Sequence, residues 1–112
     1  MEYEEYEPID LQKEAEIYEI KQKLFHRLLE LADKYLTPLQ RNCIYGTYVD
    51  NLTQQNIAFL LGLRSQSSIT KALSNGKTGT GAYRRLARIA AKDEKCIRLL
   101  SDLRNKVYDE SN

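Results

Sequence analysis

Apolar residues recur every three or four positions along most of this chain, which is the spacing of one face of an α-helix. The longest such stripe lies within residues 11–36 and consists of Ile17, Ile20, Leu24, Leu28, Leu31 and Tyr35, widened by Phe25, Leu29 and Leu36. This spacing predicts a long amphipathic helix over that range. No segment shows the alternation with period two that predicts a half-buried strand.

A second helix is predicted from its start signals, although the segment LTPLQRNCIYGTYV is rich in residues that favour strands. Thr37 and Gln40 have the spacing of a capping box, in which each side chain binds the backbone N–H of the other residue. Pro38 falls on the first helical position, where its missing N–H costs nothing. We therefore expect a helix over residues 38–49, with Gly46 inside it.

Two short helices are expected next, in the segments QQNIAFLLG and QSSITKALS. Thr53 is the predicted N-cap of the first helix, and Gly62 is expected to end it. Its residues expected to face inward are Ile57, Leu60 and Leu61. The second helix is predicted over residues 66–74, and the pair Asn75-Gly76 is expected to stop it.

The remaining residues are predicted to form two more helices. In the segment AYRRLARIAA the residues that share one face are Leu86, Ile89 and Ala90. Asp93 is the predicted N-cap of the last helix, whose apolar stripe consists of Ile97, Leu100, Leu103 and Val107. The expected fold class is therefore all-α, with five or six helices around a helix-turn-helix and a long N-terminal amphipathic helix.

The charge of the chain is strongly segregated, although the net charge is only +1. Residues 1–19 contain eight acidic residues and a single lysine, whereas residues 37–92 contain eight basic residues and only Asp50 as an acid. We expect residues 1–10 to form a disordered acidic arm and residues 11–112 to form a single helical domain. The segregation predicts a basic working surface.

Composition and motif spacing argue against several classes of protein. No apolar run approaches 18 residues and the N-terminus is acidic, so we expect neither export nor a membrane partner. Cys43 and Cys96 lack a C-x-x-C spacing, which predicts reduced, buried thiols in a cytoplasmic protein. His26 is the only histidine, and no set of residues has the spacing of a catalytic triad or a zinc site. We therefore expect no enzymatic activity, no cofactor and no metal.

The helix pair at about residues 53–75 has the features of a helix-turn-helix, the unit that places its second helix in the DNA major groove. Ala58 is small where the two helices would cross, and Gly62 permits a sharp turn between them. Ile69, beyond the turn, fills the angle between the helices. These features predict a DNA-binding unit.

Residues 36–73 resemble the region-4 helix-turn-helix of sigma-70-type factors and their stand-alone relatives. The residues that carry the resemblance are Leu36, Thr37, Arg41, Tyr48, Val49, Thr53, Ile57, Ala58, Leu61, Gly62, Ser65 and Ile69. The resemblance implies sequence-specific binding of double-stranded DNA in transcription control, by a small protein in the cytoplasm of a bacterium or a phage-infected host. The chain departs from the family in the spacing between Gly62 and Ile69, which is one residue longer than usual.

The second helix of the pair divides into an inner and an outer face when its residues are placed 100° apart. Its inner face consists of Ile69, Ala72 and Leu73, and its outer face of Ser67, Lys71 and Ser74, flanked by Thr70 and Asn75. We predict that Ser67, Thr70, Lys71 and Ser74 contact DNA bases, with Lys71 donating to guanine O6 or N7. A register shifted by one residue would instead bring Ser68 and Asn75 forward.

The loop SNGKTGTG ends like a nucleotide-binding P-loop, but Lys71 occupies the position of the first glycine and a helix precedes it instead of a strand. We expect the loop instead to contact DNA phosphates, because it directly follows the second helix of the pair. The alternative is that it is a plain linker. The residues predicted to contact phosphates are Arg64, Gln66, Asn75, Lys77, Arg84, Arg85 and Arg88.

Two other functions fit the same pattern: the DNA-recognition small subunit of a viral DNA-packaging machine, and an adaptor that binds RNA polymerase or a sigma factor. We also expect a homodimer or higher oligomer, because two-fold symmetry matches a palindromic DNA site. Part of the helix at residues 11–36 and the stripe at residues 97–107 would form that contact. The alternative is that both helices close the core of a monomer.

Overall fold

The structure of the protein, a computed structural model, describes residues 11–74 and 81–108. Within these ranges the chain forms six helices and no strand: α1 (Leu11–Tyr35), α2 (Pro38–Tyr48), α3 (Gln54–Leu60), α4 (Gln66–Leu73), α5 (Ala82–Ala90) and α6 (Glu94–Val107). The all-α prediction and the long N-terminal helix are confirmed. The expected acidic arm at residues 1–10 lies outside the described residues. None of the described helices combines the length and the apolar character needed to cross a membrane.

Side-chain caps start α2, α3 and α6 at the residues predicted from the sequence. Thr37 Oγ1 accepts a hydrogen bond from the Gln40 N–H at 3.2 Å, and Gln40 Oε1 accepts one from the Thr37 N–H at 3.3 Å. Thr53 and Asp93 each accept from an N–H in the first turn of their own helix, at 3.1 and 3.0 Å. These bonds satisfy donors that have no partner inside the helix.

The core is built around α4, which packs against α2, α3 and α5. On α4, Ile69 and Leu73 are 0% and 1% exposed. The other buried residues of the same cluster are Ala32, Leu36, Cys43, Ile44, Ile57, Ala58 and Ala82. An isolated helix of eight residues is unstable in water, so α4 depends on this burial, which contributes about 1.5–3 kcal/mol for each large aliphatic side chain.

The side chain of Ile57 on α3 packs against α2 at Gly46. A Cβ atom at this position would lie 2.9 Å from Ile57 Cγ1, closer than real Cβ atoms pack. Glycine inside a helix costs about 1 kcal/mol relative to alanine. We infer that Gly46 is present because only a residue without a side chain lets α3 lie this close to α2.

The helix α6 packs antiparallel to α1, and ion pairs join the two helices near both ends of the contact. Arg27 donates from Nε and Nη2 to the two carboxylate oxygens of Asp93, at 3.0 and 2.7 Å. Lys106, near the other end of α6, pairs with Glu16. Asp93 thus caps α6 and also binds it to α1. The hydrogen bonds from the Arg27 guanidinium hold the pKa of the Asp93 carboxyl well below its usual range.

The predicted inward orientation of Leu60 and Leu61 is wrong. Their exposed fractions are 66% and 36%, whereas Ile57 and Ala58 are buried. The helix α3 ends at Leu60, so only one turn of it faces the core. The residues around its last turn therefore lie at the surface.

Three of the four residues in the predicted apolar stripe of α6 do not pack in the core of the monomer, so this stripe does not close that core as the alternative to a dimer expected. Ile97, Leu100 and Val107 are exposed, whereas Cys96 and Leu99 are buried against the rest of the fold. The helix carries two apolar stripes that are offset by one residue, or 100° of rotation. In the rotation found, Cys96 and Leu99 face inward and Asp93 binds Arg27 of α1. Both cysteines are free and buried, as predicted.

We predict that the ion pair between Asp93 and Arg27 makes the stability of the protein depend on acid pH. The folded pKa of Asp93 lies below the value of about 3.9 for an unperturbed aspartate, so its contribution is complete above that pH and is lost as the pH falls through the folded pKa. Asp93→Asn removes the charge but keeps a capping oxygen. Urea unfolding should therefore show a stability difference between wild type and Asp93→Asn at pH 7 that shrinks below about pH 4.

The variant Asp93→Ala is the matched control, because it removes the cap as well as the charge. It should be less stable than Asp93→Asn at every pH between 2 and 7 by a roughly constant amount. A difference between wild type and Asp93→Asn that does not change between pH 7 and pH 2 would contradict this account of Asp93.

Candidate nucleic-acid interface

The orientation of α4 is fixed by its buried face. Ile69 and Leu73 point into the core, and Ser68 is half-buried. All four residues predicted to contact bases are exposed, namely Ser67, Thr70, Lys71 and Ser74. The helix therefore lies in the register with Ser67 and Lys71 outward. The alternative register, which would expose Ser68 in their place, is not present in the structure.

The turn between α3 and α4 has a defined geometry that depends on glycine. Gly62 has a φ angle of +72°, in the left-handed region where other residues are strained. The Leu63 N–H donates to the Ala58 carbonyl at 2.8 Å, and the Gly62 N–H donates to the Phe59 carbonyl at 3.1 Å. This pair of bonds is a Schellman motif, which closes the end of α3 and sets the direction in which the chain leaves it.

The first turn of α4 carries a pair of hydroxyl groups. Ser65 is the N-cap, but its side chain does not bind a backbone N–H of α4. Its Oγ lies 2.6 Å from the Oγ of Ser67. The pair thus presents two mutually hydrogen-bonded hydroxyl groups at the exposed start of α4.

Thr70 connects α4 to α3 through a residue that the sequence analysis did not single out. Its Oγ1 lies 2.7 Å from Gln54 Oε1 and 3.2 Å from the carbonyl oxygen of Gln66, so its proton is shared between two acceptors within the protein. The lone pairs of Thr70 Oγ1 remain able to accept a hydrogen bond from outside. Gln54 could have been suspected from its place in the first turn after the Thr53 cap, since that turn lies beside α4.

The described residues predicted to contact phosphates differ in exposure. Arg64, Arg84 and Arg88 are exposed, as is Gln66. Arg85 is half-buried: its Nη1 donates to Gln40 Oε1 at 3.0 Å and its Nη2 donates to the carbonyl oxygen of Tyr35 at 3.2 Å. Asn75 and Lys77, also predicted to contact phosphates, lie outside the described residues.

Arg85 fixes α5 to the junction of α1 and α2. Tyr35 is the last residue of α1, so its carbonyl is one of those that the helix itself leaves without a partner. A cation at this place is also favoured by the helix dipole. Gln40 is only 8% exposed and already accepts from the backbone of Thr37. Arg85 therefore donates hydrogen bonds to two groups at that junction. No pattern in the sequence predicts these bonds, because the partners are 45 and 50 residues away.

A tyrosine pair joins α2 to α5 beside these arginines. The hydroxyl oxygens of Tyr48 and Tyr83 are 2.8 Å apart, and the rings meet edge to face with centroids 6.3 Å apart. Burial, together with the hydrogen bond to Tyr48, raises the pKa of Tyr83 to about 12. The Tyr83 hydroxyl is therefore protonated at neutral pH and adds no negative charge next to Arg84.

Both cysteines are buried free thiols. Burial raises the pKa of the Cys43 thiol above its usual value and raises that of Cys96 to about 11, so both are protonated at neutral pH. Among residues 11–74 and 81–108 no group of three His, Cys, Asp or Glu side chains is placed to hold a metal ion. The described surface around α4 thus offers hydroxyl, amide and cationic groups.

Comparison with protein-family models, with curated proteins and with solved structures gives no match to this chain.

We predict that Arg85 contributes to stability, in contrast to its neighbour Arg84. Arg85→Ala should lower the free energy of unfolding by about 1–2 kcal/mol, because it removes two charge-assisted hydrogen bonds in a half-exposed setting. Arg84→Ala, the matched control, should change it by less than about 0.5 kcal/mol, as expected for an exposed side chain. Urea unfolding of the two variants at neutral pH measures both values. Equal stabilities would mean that Arg85 does not hold α5 in place.

Proposed function

We propose that this protein binds double-stranded DNA through α4, as the second helix of a helix-turn-helix, and that it regulates transcription. The observation that carries the proposal is the rotation of α4, with Ile69 and Leu73 anchored in the core while Ser67, Lys71 and Ser74 face outward. A helix with an anchored apolar face and short polar side chains on the other can approach base edges closely.

The size and the side chains of α4 suit the major groove. An α-helix with its side chains is about 10–12 Å across, and the groove is about 12 Å wide. Lys71 can donate to guanine O6 and N7, and the serine hydroxyls can donate or accept. Thr70 acts as an acceptor, because its proton is engaged with Gln54 and Gln66. An acceptor at this position favours the amino group of adenine or cytosine.

The exposed cations of α5 and of the turn before α4 supply the contacts to phosphate. We assign this role to Arg64, Gln66, Arg84 and Arg88. Arg85 is left out of the set, because its guanidinium binds Tyr35 and Gln40. Asn75 and Lys77 stay predictions from the sequence. Since Asp50 is the only acid among residues 37–92, little repulsion opposes a polyanion here.

A second candidate function, that of an adaptor for RNA polymerase or another protein, is favoured by the outer face of α3. Phe59 is 82% exposed and the adjacent Leu60 is 66% exposed. Neighbouring large apolar side chains at the surface are typical of protein contacts. An adaptor of this kind would bind no duplex DNA, which separates it from the first proposal.

The homodimer expected from the sequence remains part of the proposal. Ile97, Leu100 and Val107 lie on the face of α6 that does not pack in the core, with exposed fractions of 49%, 38% and 39%. A second copy that covered this stripe would place two α4 helices in one assembly, as two half-sites on DNA require.

We predict that Lys71 and Arg84 affect DNA binding in different ways. Duplex fragments would first be selected from random DNA, and affinities then measured by fluorescence anisotropy over a range of salt concentrations. Lys71→Ala should cost about 1–3 kcal/mol on the selected sequence and much less on unselected DNA, because it removes a contact to a base. Arg84→Ala should weaken both to a similar extent and reduce the slope of log affinity against log salt by about 0.9, since one fewer counterion is released.

Lys95→Ala is the matched control, because Lys95 is an exposed cation on α6 and should change neither affinity nor slope. Loss of sequence preference in Arg84→Ala with full preference in Lys71→Ala would mean that α4 does not contact the bases. Absence of any salt-sensitive binding to duplex DNA would refute the DNA proposal and favour the adaptor.

A further inference from the structure

Gln54, in the first turn of α3, has a side-chain amide whose orientation is fixed by α4. Its Oε1 lies 2.7 Å from Thr70 Oγ1, which is also 3.2 Å from the carbonyl oxygen of Gln66. A carbonyl oxygen can only accept, so the Thr70 hydroxyl is the donor in both contacts. The oxygen of the Gln54 amide therefore faces Thr70, and the amide nitrogen points away from it.

The amide nitrogen of Gln54 keeps both of its protons for a partner outside the chain. Among residues 11–74 and 81–108, the contact with Thr70 is the one hydrogen bond that the Gln54 side chain makes. Gln54 is half-buried, and Thr70 is exposed on the face of α4 that also carries Ser67 and Lys71. Two N–H donors thus lie at the edge of the surface proposed to bind DNA.

The place of Gln54 on the first helix of the pair determines which acceptor it meets. In a helix-turn-helix the second helix enters the major groove, whereas the first helix crosses the DNA backbone. The side chains of α4 therefore face the base edges, and phosphate oxygens lie next to the start of α3. Phosphate oxygens accept hydrogen bonds, and neutral amide side chains are among the groups that bind them in protein–DNA complexes.

We propose that Gln54 is a further DNA-contacting residue, whose side-chain amide donates a hydrogen bond to a backbone phosphate while Thr70 holds the amide in place. This inference rests on the proposed binding of DNA by α4. One hydrogen bond within the protein then joins a phosphate contact on α3 to a base contact on α4.

The neutral charge of the amide distinguishes this contact from those of Lys71 and Arg84. A cation that binds a phosphate releases a counterion, whereas an amide releases none. Gln54→Met keeps the length of the side chain and removes both donors. In fluorescence anisotropy it should weaken binding to the selected sequence and to unselected DNA alike, by about tenfold, as expected for a lost hydrogen bond to a charged group. The slope of log affinity against log salt should stay unchanged.

The variants Gln54→Glu and Gln55→Glu form a matched pair. Both add one negative charge to the first turn of α3, but Gln55 is exposed and is not the residue that binds Thr70. Gln54→Glu keeps an oxygen for the Thr70 hydroxyl and replaces the amide nitrogen by a second oxygen, which a phosphate repels. It should weaken duplex binding at least about tenfold more than Gln55→Glu does. Urea unfolding should give the two variants similar midpoints.

Thr70→Val tests whether Thr70 holds the amide, because it keeps the shape of the side chain and removes the hydroxyl. Without this hydroxyl the amide can turn its oxygen towards the DNA. Gln54→Met should therefore reduce the affinity by a smaller factor in the Thr70→Val background than in the wild type. Equal factors in the two backgrounds would overturn the positioning role of Thr70.

The other outcomes separate this proposal from the proposed function. If Lys71→Ala loses its sequence preference as expected but Gln54→Met binds as tightly as the wild type, Gln54 does not contact DNA and the proposed function stands. A loss in Gln54→Met that is confined to the selected sequence, or equal losses in Gln54→Glu and Gln55→Glu, would also overturn the phosphate contact. Absence of salt-sensitive binding to duplex DNA by the wild type would refute both proposals.

Discussion

The close contact between α2 and α3 at Gly46 is the constraint on which the position of α4 depends. The absent side chain lets Ile57 lie against the backbone of α2, where a Cβ atom would meet it at 2.9 Å. The Schellman motif at Gly62 then directs the chain from α3 into α4, and the burial of Ile69 and Leu73 fixes the rotation of α4. Gly46 thus lets α3 pack against α2, and Gly62 sets the direction in which the chain leaves α3. This direction, together with the burial of Ile69 and Leu73, orients the outward residues of α4.

The helix α5 connects this unit to the rest of the protein and serves three roles along nine residues. Arg85 binds the end of α1 and the start of α2, Tyr83 binds α2, and the exposed Arg84 and Arg88 face solvent. Tyr83 and Arg85 thus hold α5 to α1 and α2, and the exposed Arg84 is their immediate neighbour. On the other side α1 and α6 form an antiparallel pair, held by the bond between Arg27 and Asp93.

Local signals in the sequence predicted the helices well, whereas side-chain orientation was predicted only where one apolar stripe was available. The caps at Thr37, Thr53 and Asp93 and the glycine turn depend on residues close in the chain, so they can be recognised without the fold. In α4 the single inner stripe gave the correct rotation. In α6 two stripes are present, and the buried one packs against residues that are distant in the chain; Arg27 of α1, for example, is 66 residues from its partner Asp93. The hydrogen bonds of Arg85 could not be predicted for the same reason, because its partners are 45 and 50 residues away in the chain.

The most direct test of the central claim is to map where duplex DNA meets the protein. An NMR titration of the isotope-labelled protein with a short duplex of mixed sequence, at low salt, reports the residues whose environment changes. We expect the largest amide shifts to fall in α4 and in the first turn of α5, and we expect α6 to be unaffected. The shifts should decrease as salt is added. Shifts confined to α6 or to the outer face of α3, or no salt-dependent shifts, would contradict it.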